Sequence, residues 1–110
     1  MCFRPTRVVD MIGIEIGIQI GTEKRREFLE SFETFSRTRN NRIQCVDMIL
    51  LENVSMPNCF LWMERWDSED DLLEYMNSGR FNELIGVVGA RGKLQDLRVV
   101  ESFSAQDWDT

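Results

Sequence analysis

With 110 residues, 43% of them hydrophobic and 29% charged, the chain has the size and composition of one globular domain, which we expect to span residues 1–110. Its net charge of −6 argues against binding to nucleic acid or anionic lipid, because an acidic surface repels phosphate groups. No stretch approaches the ~20 apolar residues of a membrane span, and the N-terminus lacks a signal-peptide core, so we expect a cytoplasmic protein with no membrane partner.

The first predicted element is a strand over residues 8–20, which alternate between apolar and other side chains with a period of two. One face carries isoleucines, and the other carries Glu15 between Gly13 and Gly17. The glycines leave room above their face for another backbone, a helix or a ligand. Glu15 could therefore face water, pair with an arginine, or act as a carboxylate in a pocket.

A helix and a strand hairpin follow. The helix is predicted from apolar residues at helical spacing, which are Phe28, Leu29, Phe32 and Phe35. Residues 43–54 and 58–66 predict the second and third strands. Both faces of this hairpin carry apolar side chains, whereas a sheet with one solvated face alternates apolar and polar residues. We therefore expect helices to cover one face and a second subunit to cover the other.

The last part of the chain predicts a second helical segment and a fourth strand. Ser68, with an acidic residue three positions later, is typical of a helix start. Ser78-Gly79 interrupts this helix, and residues 94–103 predict the fourth strand. The order is β-α-β-β-α-β with a core over residues 8–103. This order predicts an α+β, ferredoxin-like fold with a four-stranded antiparallel sheet, whose second face is apolar and bare.

Three motifs stand in a characteristic order along this chain. They are a strand, a glycine and a charged helix start running into Glu27-Phe28, then Phe60-x-x-x-Glu64-x-Trp66, then Ser68-x-x-x-Leu72 through Tyr75-x-x-Ser78-x-x-Phe81. Together they resemble the antibiotic biosynthesis monooxygenase family of dimeric α+β barrels. The resemblance implies a homodimer in which two subunits pack through the open sheet face, and a pocket in each subunit between the sheet and the helices.

The resemblance also implies activities. Family members include cofactor-free oxygenases of polyketide anthrones, quinol monooxygenases and haem-degrading enzymes. Many members have histidine where this chain has Tyr75, and the haem degraders have their haem-ligating histidine where it has Ile85. Trp66 matches a tryptophan of the polyketide oxygenases, whose nearby amide side chain is replaced here by Trp62. Haem degradation fits this chain poorly, and we expect no cofactor and no metal ion.

The chain has no histidine, which excludes serine–histidine and cysteine–histidine catalysis within one chain. Oxygenation without a cofactor needs an electron-rich phenol or enol that loses a proton in a dry pocket and then reacts with oxygen. The candidate catalytic residues are Tyr75, Trp66 and Glu15. Tyr75 would hydrogen-bond a phenolate oxygen, and Glu15 would accept a proton if burial raised its pKa.

The candidate substrate-binding residues have large apolar or cationic side chains: Trp62, Met76, Arg80, Phe81 and Ile85. The rings and the thioether could stack on a small aromatic ligand, and Arg80 or Arg91 could stabilise an anion. The same tryptophans could equally be core residues, with Tyr75 an ordinary amphipathic residue at the surface.

Two functions therefore fit the sequence. One is a cofactor-independent monooxygenase acting on a quinol or a polycyclic aromatic, polyketide-like small molecule. The other is a non-catalytic dimeric barrel that binds an apolar small molecule or serves as an assembly module. The position of Glu15 distinguishes them, because a pocket shared with Trp66 and Tyr75 favours catalysis. An arginine partner in the dimer interface favours binding or structure.

Overall fold

The structure, a computed structural model, describes residues 11–38 and 45–102, and the fold is built from four strands and three α-helices within them. The elements are β1 (Met11–Ile20), a 3-10 turn (Thr22–Lys24), α1 (Arg25–Thr38), β2 (Cys45–Glu52), β3 (Cys59–Trp66), α2 (Glu69–Met76), α3 (Gly79–Arg91) and β4 (Gly92–Ser102). The strands pair in the order β2-β3-β1-β4, and all three pairings are antiparallel. The predicted α+β, ferredoxin-like fold is confirmed.

The predicted strand limits differ slightly from those of the structure. Strand β4 begins at Gly92, directly after α3 and two residues before the predicted start at 94. The outer ends of three predicted strands, residues 8–10, 43–44 and 103, lie outside the described residues.

The second helical segment is divided into α2 and α3 because Ser68 and Ser78 each cap the start of a helix. The Ser68 hydroxyl accepts a hydrogen bond from the backbone N–H of Asp71 at 3.1 Å, which fixes the start of α2. The Ser78 hydroxyl accepts one from the backbone N–H of Phe81 at 3.4 Å and starts α3. Each bond satisfies a backbone donor that the first helical turn leaves free. The predicted interruption at Ser78-Gly79 is thus observed.

The core lies between the helices and one face of the sheet. The isoleucines at positions 14, 16, 18 and 20 of β1 are at most 3% exposed, as the alternation of the sequence predicts. Strand β3 pairs with β1 so that Ile14 lies opposite Glu64 and Ile16 lies opposite Trp62. Paired residues share a face of the sheet, so β3 presents its larger side chains to the same core.

The opposite face of the sheet is mixed rather than uniformly apolar. Much of its apolar part lies on β2 and β3 and includes Ile49, Leu51, Leu61 and Met63, of which Ile49 is 36% and Leu51 50% exposed. Ion pairs join neighbouring strands on the same face, one between Arg98 and Glu15 at 2.9 Å and one between Arg65 and Asp47 at 2.8 Å. The prediction of a bare apolar face therefore needs correction, because all four strands place charged side chains on it.

A polar network ties the start of α1 to the turn between β2 and β3. Arg25 donates to both carboxylate oxygens of Glu52 at 2.6 and 2.8 Å, and also to Asn58 Oδ1 at 2.9 Å. The backbone N–H of Asn58 donates to the same carboxylate at 2.8 Å. The Arg25 hydrogen bonds and then the Asn58 bond lower the pKa of Glu52 to about 2. The hairpin is thereby fixed against the helix layer.

Asn58 is expected to be sensitive to substitution because its φ of 70° lies in the left-handed region. Asn58→Ala should lower the free energy of unfolding by roughly 1–2 kcal/mol, since alanine disfavours this backbone and cannot replace the side-chain bonds to Arg25 and Thr22. Asn58→Gly keeps the backbone accessible and should lose less. Urea unfolding of both variants tests this. Equal losses would mean that the backbone conformation is not the cause.

Candidate active site

The centre of the helix-facing side of the sheet is Glu64 on β3. The alternation of this strand places Phe60, Trp62, Glu64 and Trp66 on the same face, and all four are buried. Glu64 is 2% exposed and is, among the described residues, the one buried residue with a charged side chain. A buried carboxyl group is costly unless it is hydrogen-bonded, so its partners are informative.

Three side-chain donors surround the Glu64 carboxyl group. The indole Nε1 of Trp62 donates to Oε2 at 2.9 Å, and the Tyr75 hydroxyl donates to the same oxygen at 3.3 Å. The indole Nε1 of Trp66 donates to Oε1 at 3.3 Å. The two tryptophans reach Glu64 because they stand two residues before and after it on one face of β3, and α2 supplies the tyrosine.

The environment raises the pKa of Glu64 above its ordinary value. Burial is the largest cause, since it disfavours the charged carboxylate. The hydrogen bonds from Trp62, Trp66 and Tyr75 and the positive charge of Arg80 act in the opposite direction, with smaller effect. A raised pKa lies nearer to neutral pH than the pKa of an exposed carboxyl group. The group is therefore better suited to accept and release a proton under these conditions.

Glu64 and its three donors, Trp62, Trp66 and Tyr75, are called the Glu64 group below. Further aromatic rings enclose this group on both sides. Next to the Trp62 ring lie the rings of Phe28, Phe32 and Phe35, with centroid distances of 6.1, 4.9 and 5.7 Å. On the other side, the Tyr75 ring lies 4.6 Å from that of Trp66 and 5.4 Å from that of Phe81. The carboxyl group is therefore held in a largely apolar surrounding, where electrostatic interactions are strong.

Gly13 on β1 allows the backbone of β3 to lie close at the level of Glu64. A Cβ atom at position 13 would come within 2.6 Å of the Glu64 carbonyl oxygen. The sequence left open whether a backbone, a helix or a ligand lies close to this glycine. The structure shows that it is the backbone of β3. Any side chain there would push β3 away and disturb the position of the carboxyl group.

Several of the predicted site residues lie together. Tyr75 and Trp66, predicted as catalytic, both contact Glu64, as does Trp62, which was predicted to bind substrate. Phe81 packs edge-on against Tyr75. Tyr75 is 6% and Phe81 8% exposed, so they are the least covered members of this group.

Glu15 lies elsewhere. Its position in β1 turns it to the face opposite Trp66 and Tyr75, where its carboxylate accepts a hydrogen bond from Arg98 Nη2 at 2.9 Å. The proposed pocket containing Glu15, Trp66 and Tyr75 does not fit this geometry. The physical reason is the strand period of two, because Glu15 cannot share a face with the buried isoleucines beside it.

The remaining predicted site residues lie around the edge of the Glu64 group. Met76 and Ile85 are half-buried and pack against the same core. Arg80 reaches across to the end of α1, where it donates to Thr38 Oγ1 at 2.6 Å and to the Phe35 carbonyl oxygen at 3.4 Å. Its guanidinium lies 5.3 Å from the centre of the Phe35 ring. Arg80 is thus anchored beside the site rather than inserted into it.

Glu64 had no role among the predicted site residues, although the sequence contains the signal for it. In a strand with a period of two, Glu64 must share the face of Phe60, Trp62 and Trp66. An acidic residue on an aromatic strand face is expected to be buried or paired with a donor. Either arrangement makes it a candidate site residue.

Two further kinds of feature are not found in the described part of the chain. Within residues 11–38 and 45–102, no three histidine, cysteine, aspartate or glutamate side chains are arranged to hold a metal ion. None of the helices in these ranges has the length and hydropathy that crossing a membrane requires.

A family model settles the relationship that the motifs indicated. The model of the antibiotic biosynthesis monooxygenases matches residues 11–86. The chain belongs to this family. The matched region includes Glu64 and the three residues that donate to it, so the candidate site lies within the part shared with antibiotic biosynthesis monooxygenases. No curated protein matches the sequence.

Solved structures confirm the family fold at low sequence identity. A conserved protein from Methanosarcina mazei Go1 is 17% identical with a TM-score of 0.73, covering 86% of this chain and 94% of that one. A candidate antibiotic biosynthesis monooxygenase from Nitrosomonas europaea is 12% identical with a TM-score of 0.71, covering 91% and 95%. Another from Caulobacter crescentus CB15 is 16% identical with a TM-score of 0.70, covering 90% and 93%. These similarities establish the fold alone.

Proposed function

We propose that this protein is a cofactor-independent monooxygenase acting on a quinol or a polycyclic, polyketide-like aromatic small molecule. One observation carries the proposal, namely the buried Glu64 carboxyl group with a raised pKa and three aromatic donors within 3.3 Å. Membership of the antibiotic biosynthesis monooxygenase family supports the reaction class. The apolar surroundings supply the dry environment that a carbanion requires.

The reaction uses electrons from the substrate. In a substrate with a CH₂ group between two aromatic rings, loss of one proton gives a carbanion delocalised over the rings. The carbanion reduces O₂ and combines with it to give a hydroperoxide, which loses water and leaves a ketone. One oxygen atom enters the product and the other leaves as water. The protein would have to accept the first proton, stabilise the anion and keep other water out.

Glu64 and Tyr75 have complementary roles in this scheme. Glu64 accepts the proton, because its raised pKa makes it a stronger base than an ordinary carboxylate. The Tyr75 hydroxyl donates to Glu64 and would hold the carboxyl group in position towards the substrate. The substrate would approach past Tyr75 and Phe81, which are more exposed than Trp62 and Trp66, with the Arg80 charge favouring the anion.

A non-catalytic barrel is the second candidate, and the Glu15–Arg98 ion pair favours it. In this alternative the mixed sheet face forms the contact between two copies of the chain. The exposed Ile49 and Leu51 would then supply apolar contact area between the two copies. The Glu64 group would either bind an apolar small molecule or stabilise the core. The homodimer is compatible with both functions, because the sheet face and the Glu64 group lie on opposite sides of the sheet.

Oxygen uptake by the purified protein tests the proposal. Hydroquinones and anthrones are supplied in the presence of a chelator, and ¹⁸O₂ identifies oxygen incorporated into the product. Tyr75→Phe and Trp66→Phe should each lower kcat by at least about tenfold, because each removes a hydrogen bond that holds the Glu64 carboxyl group in position. Unchanged kcat in both variants would exclude this site. No uptake by the wild-type protein with any of these substrates would favour the non-catalytic barrel.

A further inference from the structure

An open groove lies between α1 and α3, separate from the Glu64 group. Its volume is about 710 Å³, which is within the range of small-molecule sites. The two helices run antiparallel, so that Arg80 meets Thr38 at one end of the groove and Arg91 lies 3.6 Å from Glu27 at the other. Neither Glu64 nor any of its three donors lines it.

The α1 wall of the groove offers hydrogen-bond acceptors rather than donors. The Ser31 hydroxyl donates to the carbonyl oxygen of Glu27 at 3.0 Å, and the Thr34 hydroxyl donates to that of Glu30 at 3.1 Å. A hydroxyl group has a single hydrogen, so both hydrogens are already engaged by the helix backbone. Only the oxygen lone pairs of these two side chains are left for a ligand.

The middle of the groove is also negatively charged. Glu30 on α1 and Glu83 on α3 line it, and neither carboxylate forms an ion pair or a side-chain hydrogen bond with another described residue. The two cations lie at the ends of the groove, where Arg80 donates to Thr38 of α1 and Arg91 lies 3.6 Å from Glu27. A ligand in the middle therefore meets carboxylates and hydroxyl oxygens, which favour a positively charged donor.

Gly86 keeps the floor of the groove open. It lies inside α3, where glycine is a weaker helix former than alanine. A Cβ atom at position 86 would meet no atom within 4 Å, and no described glycine has a positive φ. Neither packing nor backbone conformation explains this glycine. Its physical consequence is free space beside the apolar lining formed by Phe35, Val87 and Ala90.

We propose that this groove binds an amphiphilic amine. The apolar or aromatic body of the ligand lies on Phe35, Val87 and Ala90, and its ammonium group binds between the hydroxyl oxygens of α1 and the carboxylates of Glu30 and Glu83. An ammonium group has three N–H donors and no acceptor, which matches a wall of acceptors. The site needs no part of the Glu64 group, so it holds whether or not the protein is an oxygenase.

Titration with two probes of nearly equal shape tests the charge preference. Naphthylmethylamine is protonated at neutral pH, and naphthylmethanol is its uncharged counterpart. Amide NMR shifts should change along α1 and α3, and the amine should bind roughly tenfold more tightly than the alcohol. The double variant Glu30→Gln, Glu83→Gln should remove this preference. Equal binding of both probes, no binding, or shifts confined to other elements would overturn the proposal.

Two glycine variants test the location. Gly86→Leu fills the floor of the groove and should weaken amine binding by at least about tenfold. Gly89→Leu is the matched control, because a Cβ at position 89 also meets nothing within 4 Å but does not line the groove. Leucine is the better helix former, so neither variant should lose stability. Retained binding in Gly86→Leu, or equal loss in Gly89→Leu, would refute the site.

Discussion

Replacing Glu64 with glutamine is expected to lower kcat for oxygen uptake by about 10²–10⁴-fold, the usual contribution of a positioned general base. Glutamine has nearly the shape of glutamate and keeps one oxygen, which can accept from Trp62 and Tyr75 in place of Oε2. It cannot take up a proton at neutral pH. The loss should therefore appear in kcat with the fold retained, as circular dichroism and urea unfolding would verify.

Glu15→Gln is the matched control for this variant. It removes a carboxylate from the neighbouring strand, but on the opposite face of the sheet, where its partner is Arg98. We expect wild-type kcat. Loss of activity in Glu15→Gln together with wild-type activity in Glu64→Gln would exclude the assignment of the base and restore the role that the sequence first suggested for Glu15.

The second large effect expected concerns stability and pH. The pKa of Glu64 is raised in the folded protein above its ordinary value of 4.5. Below 4.5 the group is protonated in both the folded and the unfolded chain. As the pH rises further, the unfolded chain releases the proton first, so this group lowers the free energy of unfolding until the pH reaches the folded pKa. Each unit of pKa difference corresponds to about 1.4 kcal/mol.

Comparison with Glu64→Gln isolates this contribution. Urea unfolding of both proteins is measured between acidic and mildly alkaline pH, and the difference between the two free energies is plotted. The wild-type protein should lose stability relative to the variant as the pH rises above 4.5. Glu52 acts in a separate window, since its lowered pKa removes stability only as the pH falls towards about 2. A difference that does not depend on pH would mean that Glu64 has an ordinary pKa.

The fold was predictable because its signals are local and periodic. The alternating isoleucines of β1 and the serine at position 68 each indicate an element without reference to distant residues, and the structure has both. The composition of the free sheet face was less predictable. It depends on which strands are neighbours, and the pairing of β1 with β4 brings Arg98 to Glu15 across 83 residues of chain.

The candidate site was predictable in part. Trp62, Trp66 and Tyr75 stand out as large aromatic residues, and the structure brings them together. Glu64 was overlooked because it stands among charged residues at the end of a strand, where an acid is usually solvated. Its importance depends on burial by α1 and α2, which the sequence does not display residue by residue. Glu15 attracted attention by its isolation between two glycines, although the same alternation directs it away from the aromatic group.

Because Trp62 and Trp66 both hydrogen-bond to one carboxyl group, we expect tryptophan fluorescence to be sensitive to the state of the site. Indole emission responds to charge and polarity near the ring nitrogen, and both of these nitrogens point at Glu64. Gain or loss of one proton there alters the surroundings of two chromophores that are shielded from solvent. The emission of these two tryptophans should therefore report the protonation of the buried acid without a label or a substrate.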